Sequence, residues 1–465
     1  MLAQSLARCR PSIVVALTLT ALIGNPASSQ SRSPASASTP ASWLQLRGAT
    51  DNTGRLPGTL EVAWRFKARH AVRGLSVAAG LVLVGTESAD AASRNPGPDQ
   101  RGYLTALDAL TGIPLWTQEV PNWIHGDPVI YRGLAFASFG RFPMTSPGGV
   151  IAVDLRTGRT VWSLNADGGI MPAPALDSAE GSLIVAGGDG VLRTLDVRTG
   201  AVKHASVLGS PDAMASPRID DNGVVYLGAD ATLFSYSTRT GRFLWRFRPP
   251  GLVELGTPPA ALADTIVFTE GTKHLGLWSA FRALPIRRFW QLAREGRSMF
   301  GNRLSTYASW FQEQWLLAVD RRDGHPLWQQ PLGVGLIVLR NNSGTPVVAG
   351  KRVIISSPVS QTVSAFDVAS GRVLWRRRLD AMHIGAATIV GSDIVLGDKN
   401  GYITLLRIDD GRVIGRCNAG AAFSPTAPVV VGRTLFTATR DGWVRATPYD
   451  SLRHRAILPG GTACF

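Results

Sequence analysis

Short runs of alternating apolar and polar residues fill most of the chain, and one polar phrase interrupts them at near-regular intervals. Its clearest copy is Ile151-Ala-Val-Asp154-Leu-Arg-Thr157-Gly158-Arg-Thr-Val-Trp162, and others run from Leu104 to Trp116, from Leu317 to Trp328 and from Val363 to Trp375. Weaker copies reach Gly200, Gly241 and Gly411. An alternating strand that enters a polar turn closed by Gly and leaves as a second alternating strand is a β-hairpin. Asp at the strand end can accept hydrogen bonds from amides of the turn, and Gly can take the positive φ that the turn needs. The Trp of the second strand offers a large apolar plate with a single N–H, suited to docking on the neighbouring copy.

The repeated glycines stand at 112, 158, 200, 241, 324, 371 and 411, so the steps are 46, 42, 41, 83, 47 and 40 residues. A period of about 40 to 45 residues with four short strands per unit predicts the blades of a β-propeller. The β-branched alternation and the glycine load exclude helical repeats of similar period. Seven hairpins give seven blades, and the terminal strands from Thr426 onward give an eighth. That last unit lacks an outer strand, because Pro448 and a missing Gly spoil its hairpin, whereas Leu60–Lys67 is an outer strand with a docking-type Trp64 and no hairpin before it. The two ends are therefore expected to meet in one blade. Trp64, Trp116, Trp162, Trp245, Trp328 and Trp375 are the expected docking residues; His204 and Gly415 occupy that position in the two blades without a Trp, where docking should be poorer.

A small-Pro-apolar pattern at Pro128, Pro174, Pro217, Pro258, Pro346 and Pro428 marks the start of each inner strand, where a missing backbone donor is tolerated. Residues three or four places earlier should stand at the mouth of the central channel, which nominates Arg73, His125, Met171, Met214, Glu254, Asn342, His383 and Ser424. The 83-residue step holds an insertion at 271–314 in the fifth blade. Within it Pro285 precedes an apolar stripe at Ile286, Phe289, Trp290 and Ala293, which predicts a helix, and Tyr307, Trp310 and Phe311 predict a second stripe. Strand topology puts this insertion, together with the long connections 87–101 and 140–149, on the face opposite the Thr-Gly turns.

The phrase A-x-D-x-x-T-G-x-x-x-W resembles the tryptophan-docking repeat of the pyrroloquinoline-quinone-like (PQQ-like) β-propellers over nearly all the chain after its first forty residues. Trp43-Leu-Gln-Leu-Arg47-Gly48, Asn52-Thr-Gly54 and Val62-Ala-Trp64-Arg-Phe66 are similar to the opening of exported members. The resemblance implies either a quinoprotein dehydrogenase or a non-catalytic scaffold like the Bam outer-membrane assembly propeller. A quinoprotein of this fold implies adjacent cysteines, a calcium site of carboxylate and amide ligands, and a catalytic Asp; this chain has no adjacent cysteines and is short for that class.

Composition changes the picture in three places. Residues 1–29 read as an export signal, with Arg8 and Arg10 before the apolar run Ile13–Ile23 and Ala27-Ser-Ser29 as the cleavage site; the run is too short to span a bilayer. Residues 30–42, rich in Ser, Pro and Ala, read as a flexible linker, and 43–465 as the propeller. Cys9 precedes the apolar run, the wrong place for a lipid anchor, so a periplasmic or secreted protein that is not lipid-anchored is expected, unlike the lipoprotein that the Bam resemblance implies. Cys417 and Cys464 would be the mature chain's only cysteines in an oxidising compartment, so a disulfide competes with two unrelated buried thiols. The net charge of +15 is nearly all arginine, lysine occurring only at 67, 203, 273, 351 and 399; without clustering it does not point to nucleic acid.

Hydrolase, phosphate-loop and zinc motifs are missing. Glu254 and Asn342 are oxygen ligands of the kind calcium takes, and His125, His383, Met171 and Met214 are of the soft-metal kind, yet each set is also what a packed or solvated channel would contain. The expected function is a propeller scaffold, a monomer within a complex, that binds another envelope protein through Phe289, Trp290 and Trp310, with no cofactor. The alternatives are that the insertion only caps the channel or docks on a membrane surface, and that the protein is an oxidoreductase using PQQ with calcium.

Overall fold

The computed structural model describes residues 55–87, 101–141, 146–209, 213–254, 257–272, 275, 277–300, 311–336, 344–458 and 462–465. The signal and linker expected at 1–42 lie outside them. Eight four-stranded antiparallel blades follow one another along the chain, the first seven built from strands in sequence order. Blade 1 shows the plan: Val72–Ala78 innermost, then Leu81–Thr86, Gly102–Asp108 and Pro114–Val120 outermost. Burial follows that order. The second strand is almost wholly buried, while the outermost strand alternates exposed and half-buried residues, as in Arg242–Phe247.

The chain closes its ring with one shared blade. Blade 8 takes Val429–Val431, Thr434–Ala438 and Trp443–Pro448 from the C-terminal end and Trp64–Lys67 from the N-terminal end, with Arg65 opposite Arg445. Arg55–Leu56 adds a short parallel strand on its inner edge. Pro128, Pro346 and Pro428 each stand one residue before the paired inner strand, so no ladder bond is lost.

Each turn is built as its residue types dictate. In blade 2 the Asp154 carboxylate accepts hydrogen bonds from the Thr157 amide at 2.8 Å and its hydroxyl at 2.7 Å, and Gly158 has φ of 71°. Those hydrogen bonds hold the Asp154 carboxyl below the usual range. The Trp of the preceding blade lies on that glycine. A Cβ on Gly158 would stand 2.6 Å from the Trp116 ring, and the Trp116 Nε1–H donates to the Leu155 carbonyl at 2.9 Å. The same arrangement sets Trp64 on Gly112, Trp162 on Gly200, Trp245 on Gly324, Trp328 on Gly371 and Trp375 on Gly411. Each indole N–H donates to the carbonyl three residues before that glycine.

The two exceptions are filled by other means. The His204 ring occupies the slot over Gly241. At Gly415 the slot is taken by a C-terminal helix, α3 (Tyr449–Ile457), whose Ala456 backbone comes within 2.8 Å of where a Cβ would stand. Pro448 therefore does not spoil a hairpin; it redirects the chain into a helix that plugs the seam between blades 7 and 8. Cys417 and Cys464 are bonded, with Cα atoms 5.1 Å apart, and fix the tail after α3 to the outermost strand of blade 7.

The insertion leaves blade 5 between its second strand, Thr265–Thr272, and its third, Phe311–Asp320. The strands extend the blade beyond the expected bounds of 271 and 314: Gly271 pairs with Gln314, and Phe311 pairs with Leu336. Two helices follow, α1 (Leu277–Ala283) and α2 (Ile286–Phe300). No helix among the described residues is long and apolar enough to cross a membrane.

Candidate functional site

Antiparallel strand order puts the third-to-fourth turns on one face of the ring and the second-to-third connections on the other. The insertion rises from that second face and spreads across it. Glu295 of α2 is the tie: it accepts from Gln291 Nε2 at 3.1 Å, from Gln361 Nε2 at 3.0 Å and from Lys399 Nζ at 3.4 Å. Gln361 and Lys399 sit on the second-to-third connections of blades 6 and 7, so α2 is seated across both. Arg288, on the same side of α2, is buried beside Arg378; burial first and that charge second bring its guanidinium down to about 10, with Glu295 opposing.

Beneath the helices lies a small core of Ala280, Phe289, Leu292, Phe311 and Leu336. Phe289 stacks on Phe311 at 5.5 Å and is 4% exposed, so it is a core residue and not part of a binding surface. The expected apolar stripe is wider than the face that the sheet can cover. Ile286 and Trp290, on its flank, are 60% and 57% exposed, and Trp278 and Phe281 of α1 are 76% and 37% exposed. Phe311, expected on a second helical stripe, is the first residue of a strand. Trp310 lies outside the described residues.

These rings touch in series. Trp278 meets Phe281 edge-on at 6.3 Å, Phe281 meets Phe289 at 5.1 Å, and Phe289 meets Trp290 at 5.5 Å. The result is an outward aromatic surface anchored on a buried ring, bordered by the exposed Arg282, Arg287 and Arg294. Aromatic anchors within an arginine rim have the composition that protein interfaces favour. Sequence reasoning missed Trp278 and Phe281, although their i, i+3 spacing just before Pro285 was a usable signal.

The nominated channel-mouth residues do not converge on one site. Arg73 ion-pairs with Glu87, and His125 lies 3.9 Å from the same carboxylate and against the Trp123 ring. Arg440 adds a second guanidinium to this cluster, its pKa lowered by burial first and then by Arg73, with Glu87 opposing. His383 bridges Asp398 in another part of the ring and is 3% exposed. Burial drives its imidazole down to about 4, against the pull of Asp398 and with the help of Arg416, so it is neutral at pH 7. Asp398 is itself held by Arg416 at 3.1 Å and by the amides of Asn400 and Tyr402. Met171 is buried, and Ser424 donates to the Val72 carbonyl. Glu254 ends the short strand Leu252–Glu254, opposite Gly271, and Asn342 lies outside the described residues.

A calcium-bound quinone needs several uncommitted oxygen donors around one point. Among the described channel-mouth side chains, Glu87 is committed to Arg73 and the Ser424 hydroxyl to the Val72 carbonyl, so neither is an uncommitted donor. Among the described residues no cluster of three or more His, Cys, Asp or Glu side chains could hold a metal ion.

Known proteins share this fold. The family model described as outer membrane protein assembly factor BamB matches residues 52–280, 212–416 and 312–450. A protein of that name from Burkholderia pseudomallei is 26% identical over 81% of this chain and 97% of its own length. A tetrathionate hydrolase from Acidithiobacillus ferrooxidans is 20% identical over 76% of this chain and 70% of its own. The quinohemoprotein alcohol dehydrogenase of Comamonas testosteroni superposes with a TM-score of 0.59 at 12% identity, covering 87% of this chain and 80% of its own, a likeness of fold alone.

Proposed function

The chain belongs to the outer membrane protein assembly factor BamB family, and from that premise we propose that it is an exported, non-catalytic propeller scaffold of the bacterial cell envelope that holds another envelope protein on its blade-5 insertion. The observation that carries this reading is the outward aromatic surface of Trp278, Phe281, Ile286 and Trp290 on helices seated against a rigid ring. Exposed aromatic side chains ordered by a packed base lose little conformational entropy on binding. In this reading the signal-like residues 1–29 carry the export step, and the ring acts as a monomer within a larger complex.

The test is a capture from an envelope fraction with the intact protein and with a variant in which residues 273–310 are replaced by a short Gly-Ser bridge. A specific envelope protein is retained by the intact chain and lost by the variant while the ring keeps its melting temperature. Retention by both refutes the insertion as the site. The family's other chemistry is tested separately by reconstitution with quinone and calcium followed by dye reduction with alcohols and sugars; turnover under those conditions would replace the scaffold reading with an oxidoreductase.

A further inference from the structure

The seam plugged by α3 is closed differently from the others, and the difference leaves space. Between the outer strands of blade 8 and the tail beyond α3 lies a cleft of about 760 Å³. Three elements send arginines into it: Arg65 from the outermost strand, Arg445 directly opposite it across the ladder, and Arg455 from α3. No Asp or Glu is found among the described residues that line it. Like charges directly opposite on paired strands repel, and an anion bound in the cleft would relieve the Arg65–Arg445 pair.

Among the described residues, some of these donors have no protein partner. Arg445 Nη1 is buried without a hydrogen-bond partner among the described residues. The Arg445 guanidinium is fixed over the Phe465 ring at 4.8 Å and near the Trp443 ring at 5.5 Å, which holds its plane in place. Arg455 donates from Nη1 to the Cys464 carbonyl at 3.1 Å, its one side-chain hydrogen bond among the described residues. Thr447 and Ser451 add hydroxyls to the lining. Asp441, which acts on Arg445, is shared with Lys67 at 3.4 Å and does not line the cleft. Burial lowers the Arg445 pKa, with Asp441 opposing and Arg65 adding a smaller push in the same direction as burial.

Planar guanidinium forks with flanking hydroxyls and no carboxylate are the donor set that recognises phosphate. The cleft is also larger than a phosphate ion and has aromatic walls in Trp64 and Phe465. We propose that this cleft binds a phosphate ester carried on an apolar or sugar body, presented either by a soluble molecule or by a lipid headgroup. It is independent of the insertion, because α1 and α2 contribute nothing to its lining.

The experiment uses the whole mature chain near physiological salt, where long-range attraction between exposed charges is largely screened. Two probes separate the sources: glycerol 3-phosphate by calorimetry, and vesicles of phosphatidylglycerol against phosphatidylcholine by co-sedimentation. Arg65→Gln with Arg445→Gln should weaken binding at least tenfold, whereas Arg156→Gln with Arg198→Gln, two exposed arginines far along the chain, should change it less than twofold. If the first pair impairs folding, Ser451→Glu places a competing carboxylate in the cleft with all three arginines intact and should weaken binding to the same degree. Cleft-dependent binding of glycerol 3-phosphate assigns a soluble ligand, and cleft-dependent binding of phosphatidylglycerol vesicles alone assigns a headgroup. Equal weakening by both arginine pairs, or no binding of either probe by the intact protein, overturns the site.

Discussion

The two faces of the ring are built from the same strands and obey different rules. On one face the third-to-fourth turns are near copies, an Asp carboxylate capping the amides and a Gly lying under the neighbour's Trp. On the other, the second-to-third connections of blades 3, 7 and 8 share a turn closed by Gly190, Gly401 and Gly442, and the rest differ. They range from the two-residue link between Ala229 and Thr232 to the two-helix insertion between Thr272 and Phe311. Where every blade must meet its neighbour, one solution recurs; where none need meet, the chain diverges. The repeated face should therefore govern stability and the divergent face binding.

The largest effect is expected on the repeated side. Trp375→Ala removes a plate docked on Gly411 and an N–H bond to the Ile408 carbonyl at 2.9 Å. It should cost about 3–5 kcal/mol in denaturant unfolding; an unchanged midpoint would show that the docking role is wrong. Next comes the covalent tie. Replacing Cys417 and Cys464 with Ser should cost about 3–4 kcal/mol, since the closed loop spans 47 residues. Thiol titration of the unreduced, denatured chain should find no reactive pair, and two reactive thiols would contradict the bond.

Gly415→Ala inverts a general expectation. In an ordinary strand the change stabilises by reducing the freedom of the unfolded chain. Here the new methyl would meet the Ala456 backbone at 2.8 Å, so a loss of about 1–3 kcal/mol is expected, read as a lower melting temperature. A gain would mean that α3 does not sit in the Trp slot.

On the divergent face the expected effect on stability is smaller and depends on pH. The folded His383 imidazole titrates near 4, below its unfolded value of about 6.5. Between those values the unfolded chain binds more protons, so stability is fully present above pH 6.5 and falls on acidification towards pH 4, by at most about 1.4 kcal/mol per pH unit. His383→Gln should flatten that part of the stability profile. A variant with the same slope as the parent would assign the acid lability to other groups.

This asymmetry also decides what was legible in the sequence. The blade count, the strand order and the shared terminal blade follow from a phrase repeated at fixed spacing, because a repeat cannot bury its faces except against copies of itself. Gly415 and Pro448 were readable only as defects, since the helix that explains both is not a repeat and its docking is a long-range event. Phe289 was misassigned for a related reason: periodicity marks an apolar stripe but not how much of it a neighbour covers. Arg73 and His125 came together only through Glu87, which lies outside the pattern that nominated them. Arg65, Arg445 and Arg455 carry no motif and meet only through ring closure.

The most direct measurement is the affinity of the captured envelope partner for the intact protein and for Trp278→Ser with Trp290→Ser, both exposed side chains whose loss should leave the melting temperature within about 2 °C, as surface changes do. Interface aromatics of this kind contribute about 2 kcal/mol or more each when they anchor a partner. The scaffold account predicts at least a tenfold rise in Kd with an unchanged ring; a Kd within twofold of the parent's would contradict it.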